Sequence, residues 1–168
     1  MSISMHAITV PPLVRALNNL AAILKKGAAH AEARKIDPLV LTGSRLFPDM
    51  YPLTRQVYIA TDVAKACAAR LAGVEVPRYE DVETTFPELL ARVDKTVAFL
   101  NGFTADRIDG AEDSDIQFKV AGNPLRMRGL DYVLNYVKPN VHFHITTAYN
   151  ILRHNGVELG KRDFLGEV

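Results

Sequence analysis

Between Leu53 and Leu71 the apolar residues Leu53, Val57, Ala60, Ala64, Cys67 and Leu71 step forward by four and three residues in alternation. That spacing keeps all six on one face of an α-helix; a strand would need every second residue. A helix with one apolar face must bury it against other elements, so this stretch commits the chain to helical packing. The alanines on the stripe let a neighbouring helix approach closely, and Cys67 among them reads as a small core residue rather than a nucleophile. Asp49 is placed to cap the start of this helix, and Gly73 ends it.

Three further helices flank it. The first is expected from about Pro12 to Arg34, because Leu13, Leu17, Leu20 and Leu24 recur at helical intervals. The segment KIDPLVLTGSRLFPD then breaks the pattern with Pro38, Gly43 and Pro48 and reads as a loop. The third helix opens at TFPE, where Thr85 and Glu88 have the spacing of a reciprocal capping box; its stripe is Phe86, Leu89 or Leu90, Val93, Val97 and Leu100. Ile116, Phe118 and Val120 alternate with polar residues, AGNP supplies a turn, and Leu125 and Met127 alternate again, which predicts a hairpin. The last long helix begins near Gly129, carries Leu130, Leu134, Val137, Val141, Ala148 and Leu152 on its buried side, and stops at Gly156. Pro139 should kink or briefly break it. Val157, Leu159, Phe164 and Leu165 should pin a short tail that runs to the end of the chain. The pattern predicts an all-α fold, a four-helix bundle with a small β-hairpin between helices three and four, and residues 1–168 as a single domain.

At 168 residues one core suffices, since a compact domain of this size hides roughly 70% of its unfolded surface. With 20 Lys and Arg against 19 Asp and Glu, the chain has no excess charge with which to hold nucleic acid or an anionic membrane. Arg126 and Arg128 on one hairpin strand are too few to change that. The single cysteine fits a reducing compartment. The opening lacks a basic region followed by an apolar stretch, and no run approaches the roughly 20 apolar residues of a membrane span. A cytoplasmic protein is the expectation.

Chemistry concentrates in PNVHFHITTAYNILRHNG, residues 139–156, which holds three of the five histidines. Successive helical residues turn by about 100°, so His144 lies about 60° from the centre of the buried stripe and His142 about 90° to the other side. The two cannot easily share one metal. His154 points largely away and sits in the last turn, where a cationic imidazole suits the helix dipole. His142 shares a polar shoulder with Tyr149 and Arg153. His144, at the edge of the stripe, must find hydrogen bonds and is either a satisfied structural residue or a site residue. Phe143 lies opposite the stripe, where the tail, the hairpin or a second subunit could cover it.

The helix order, DMYPLTRQ at the opening of helix two and FHITTAYNILRHNGVELGKRDFLG at the end resemble an uncharacterised bacterial domain-of-unknown-function family. That family lies within the DinB/YfiT-like superfamily of proposed metalloenzymes. The resemblance spans nearly the whole chain and implies the DinB-like bundle. In the wider superfamily a divalent metal is commonly held by one histidine on helix two and an HxxxH pair on helix four. Here the resemblance sets His144 on the second histidine of that pair, Asn140 on the first, and Gln56 on the helix-two position, with Asp49 or Asp62 as other candidates for the last. One imidazole with two amides stands where relatives carry three imidazoles, and amide oxygens are poor ligands for zinc or nickel.

Two functions follow as expectations. By analogy with relatives that use a thiol and a metal (zinc, nickel or manganese), an enzyme acting on a small molecule would use His144 as ligand or base and Tyr149 as acid. Gln56, Asn140 and Arg153 would position the substrate. The alternative is a non-catalytic homodimeric module that binds a small polar ligand or a protein, with Phe143 and the apolar side of the hairpin as its surface. No Gly-rich phosphate loop, CxxC or nucleophile elbow points to other chemistry.

Overall fold

The computed structural model describes residues 4–166. Helix α1 runs over Met5–Arg34, seven residues earlier than the leucine spacing suggests. Ser4 caps it by accepting from the Ala7 amide at 3.0 Å, and Asp109 in turn accepts from the Ser4 hydroxyl and the His6 amide. Pro11 and Pro12 therefore sit inside the helix instead of at its start. A proline in a helix interior costs about 3 kcal/mol. Burying Met5 and Val10 returns roughly 1.5–3 kcal/mol each, and the cap about 1 kcal/mol more. The Ala7 and Ile8 carbonyls that lose their helical donors lie on the less buried side, where water can serve them.

The proline-rich segment that follows contains a short helix, α2 (Pro38–Thr42), capped by Asp37, where the turn residues suggest only loop. Helix α3 (Leu53–Leu71) has Pro52 at its N-cap and no side-chain cap, so Asp49 does not play the part expected of it. Its end is as anticipated: Gly73 has φ +64° and Val74 donates back to the Ala69 carbonyl. Helix α4 (Phe86–Asn101) opens on the Thr85–Glu88 capping box. Hydrogen bonds from Thr84 and Thr85 pull the Glu88 carboxyl down to about 2. Leu89, not Leu90, is the buried member of that pair. A single turn, α5 (Ala105–Ile108), leads to the hairpin.

Strands β1 (Asp115–Val120) and β2 (Asn123–Arg128) pair antiparallel, Ile116 opposite Met127 and Phe118 opposite Leu125. Only Ile116 and Phe118 are buried, while Val120 and Leu125 face solvent. The connecting Ala121 and Gly122 both have positive φ, as a two-residue hairpin turn requires. The chain then stays helical from Gly129 to His154: one turn, α6 (Gly129–Asp131), a π-helical stretch (Tyr132–Val137), and α7 (Lys138–His154). The interruption expected at Pro139 takes the form of a widened turn just before the proline, with Lys138 donating to the Val133 carbonyl, and the chain stays helical through it. Widening shifts the register by about one residue, or 100°. Val137 is buried as the spacing predicts, but Leu130 and Leu134, expected beside it, are exposed, and Tyr132 and Val133 are buried in their place.

The tail folds into α8 (Lys161–Leu165), held on α1 by the Lys26–Asp163 ion pair at 2.6 Å and by Asn19 donating to the Phe164 carbonyl. Val157 and Leu159 are buried and Phe164 half-buried, but the Leu165 side chain is exposed and only its carbonyl is held, by Arg15. The last two residues of the expected tail lie outside the described residues. The four long helices share one apolar core, and α3 runs antiparallel to α7, since Gln56 meets His144 at one end and Arg70 meets Tyr132 at the other. By length and composition alone α1 could cross a membrane, but Leu13, Leu17, Leu20 and Leu24 are committed to this core.

Candidate functional site

Gln56 lies in the first turn of α3, where its amide nitrogen reaches back 2.9 Å to the Tyr51 carbonyl just ahead of the helix. That bond fixes the amide's orientation and points Oε1 at α7. His144 sits there with Nδ1 2.6 Å from Oε1. Both side chains are buried, Gln56 to 2% exposure and His144 to 9%. An amide oxygen only accepts, so the network assigns the imidazole proton to Nδ1 and leaves a lone pair on Nε2. Every side-chain nitrogen or oxygen sealed from solvent among the described residues has a partner; Nε2, which has none among them, is therefore open to water. Burial pushes the His144 pKa down, which favours the neutral ring.

Asn140, one turn earlier on the same face of α7, is half-buried. Phe143 presents its ring edge to His144 at 5.3 Å and is 58% exposed, so within the described residues neither tail nor hairpin covers it. The structure does not bring Tyr149 or Arg153 to His144. Five and nine residues along the helix, they are rotated by about 140° and 180°. Tyr149 instead donates to the Leu159 carbonyl, and Arg153 is exposed. His142 and His154 are also on the surface, His142 against the Phe164 ring.

The residues do not fit a transition-metal centre. Among the described residues no three His, Cys, Asp or Glu side chains converge. Gln56, matched to a ligand position by resemblance, has its oxygen on His144 and its nitrogen on Tyr51, so it stands behind the imidazole rather than beside it. Asp62 is turned towards α4, where it meets Arg92 at 2.9 Å and also pairs with Lys65. Asp49 is exposed. Cys67 is sealed in the core, and burial raises its thiol to about 12, so it is no thiolate.

Sequence reasoning missed a buried charge network between α3 and α4. Arg92 is held by Thr61 (2.9 Å), Asp62, Asp81 (3.1 Å) and Glu83 (3.1 Å), and its guanidinium lies over the Tyr58 ring. Lys65 stacks its ammonium on Tyr79 at 3.7 Å. The available signal was a lysine and an arginine each set beside stripe positions, Ala64 and Val93, with an acidic run, Glu80 to Glu83, between the helices.

Four long helices in this order, with a two-stranded hairpin ahead of the last, define a mostly helical DinB-like protein. The crystal structure of a DinB family member protein from Shewanella denitrificans is 42% identical, matches 97% of this chain and 92% of that one, and superposes with a TM-score of 0.87. The chain belongs to the family described as a domain of unknown function, DUF1993, whose profile matches residues 5–165. No curated protein matches it.

Proposed function

We propose that this chain binds a small polar molecule without a transition metal, through the outward lone pair of His144, on the scaffold of a four-helix bundle. The observation that carries the proposal is the 2.6 Å contact between His144 Nδ1 and Gln56 Oε1. It fixes the Nδ1–H tautomer of an imidazole whose neutral form burial favours, and leaves Nε2 free to accept a hydrogen bond or a proton from a ligand O–H or N–H. Asn140 offers an amide one turn away. Metal-dependent chemistry would need a donor set that two amides and one imidazole do not supply.

Protein purified without a histidine tag or chelator, then exposed to zinc, nickel and manganese, tests this beside His144→Ala. Little bound metal, equal in the two proteins, is the expected result. About one equivalent held by the parent and lost from the variant would overturn it. A homodimer closing over the same face is the second reading, favoured by Phe143 standing 58% exposed beside His144. Sedimentation of the parent as a dimer and of Phe143→Glu as a monomer would support it; a monomeric parent would sink it.

A further inference from the structure

A cleft of about 370 Å³ opens between α3, the connecting segment around Arg78 and strand β1. Its walls carry four cations, Lys65, Arg70, Arg78 and Lys119, against one carboxylate, Asp62. In a chain of net charge +1 that is a marked local excess. Asp62 is taken up by Lys65 and Arg92, so the excess rests on Arg70, Arg78 and Lys119. No ion pair among the described residues joins Arg70, Arg78 or Lys119 to an acid.

Two of the four are built into the fold. The Lys65 side chain is 3% exposed, its stem buried in α3 and its ammonium on the face of Tyr79. Arg70 is oriented by aromatic groups where a carboxylate would be the ordinary partner: it donates to the Tyr132 hydroxyl at 2.7 Å and lies 5.2 Å from the Phe118 ring centre. Such a guanidinium is held in place with its charge uncompensated. Rings from Tyr79, Phe118 and Tyr136 complete the lining. The volume lies at the lower end of the range for small-molecule sites.

We propose that this cleft is a binding site for a small phosphate monoester carrying a planar ring, the phosphate meeting Arg70, Arg78 and Lys119 and the ring packing on the aromatic wall. Two guanidinium forks and the Lys119 ammonium together suit a dianionic phosphate better than a single carboxylate. The site is separate from His144: Gln56 and Arg70 are fourteen residues apart on α3, about 21 Å along its axis. Failure of one proposal therefore leaves the other standing.

Phenyl phosphate, benzoate and phenol are titrated into the full-length protein and followed by amide NMR, beside Lys119→Glu and Arg78→Glu, two exposed positions whose reversal should leave the melting temperature unchanged. Saturable shifts around Lys65, Arg70 and Lys119 with phenyl phosphate, weakened roughly tenfold or more by either charge reversal and by added salt, are the expected result. No saturation with phenyl phosphate, or binding indifferent to both reversals, would overturn the site. Benzoate binding as tightly as phenyl phosphate would overturn the phosphate assignment.

Discussion

Replacing Gln56 with leucine removes the acceptor of His144 Nδ1 while keeping a side chain of similar bulk. Because Gln56 is 2% exposed and His144 9%, the stranded N–H cannot simply turn to water. Leaving a buried polar group unpaired costs about 1–3 kcal/mol. The Tyr51 carbonyl, which also loses a donor, adds little, since Tyr51 lies at the surface. A shift of the proton to Nε2 would relieve only part of the loss, for it leaves an unpaired acceptor in the same place. His144→Leu alone strands Gln56 Oε1 at a similar cost, whereas the double variant removes both ends of the bond and should recover much of it. The expected coupling is about 1–2 kcal/mol. Urea unfolding of the four proteins measures it: with a slope of about 1–3 kcal/mol/M, a loss of 2 kcal/mol moves the midpoint by about 1 M. A coupling within about 0.3 kcal/mol of zero would refute the locked pair, and with it the tautomer on which the His144 proposal depends.

The pH dependence follows from the same residue. The His144 pKa is lowered from 6.5 by burial, so the unfolded chain binds the proton more readily. Its contribution is present above 6.5 and is lost as pH falls below that value, so parent urea midpoints should drop from pH 8 to pH 5 more steeply than those of His144→Leu. Arg92→Met should destabilise by about 2 kcal/mol, less than the 3–5 kcal/mol of a sealed pair because its carboxylate partners reach water; an unchanged urea midpoint would show the network to be idle. Gly129→Ala sets a methyl group against the Ala111 carbonyl and should cost about 1–3 kcal/mol, seen by calorimetry as a fall of about 2–4 °C per kcal/mol.

The elements that could be read from the chain are those whose signals are local. The stripe from Leu53 to Leu71, the Thr85–Glu88 box, the hairpin turn and the Gly73 and Gly156 stops each depend on residues within a turn or two, and each stands where its spacing puts it. The errors share a cause. Ser4 begins α1 because Asp109, more than a hundred residues away, comes to meet it, and no local rule contains that. A uniform 3.6-residue period puts Leu130 and Leu134 on the buried face, and a π-helical turn breaks that period. In the candidate site, family resemblance and helix order bring Gln56 and His144 near each other; that one holds the other's proton depends on Tyr51 turning the amide round. Analogy with relatives places Tyr149 and Arg153 with the site, and helix rotation sends them elsewhere.

Gln56 and Lys65 also explain why α3 lies as it does. Nine residues apart, they point to opposite sides of the helix. Gln56 meets α7 through His144, while Lys65, with Thr61 and Asp62, meets the Arg92 network on α4. The stripe of alanines between them would tolerate a slip, since small side chains present nearly the same surface at neighbouring positions. The polar residues would not: a one-residue slip turns α3 by about 100° and strands Gln56, His144 and Arg92 together, at about 1–3 kcal/mol for each buried group left unpaired. Against a typical total stability of 5–15 kcal/mol, that penalty is enough to select one rotation of α3 between its neighbours. The apolar stripe makes the helix pack, and the buried polar residues decide which way it faces, so Gln56 meets His144 for the same reason that Lys65 stays beneath Tyr79.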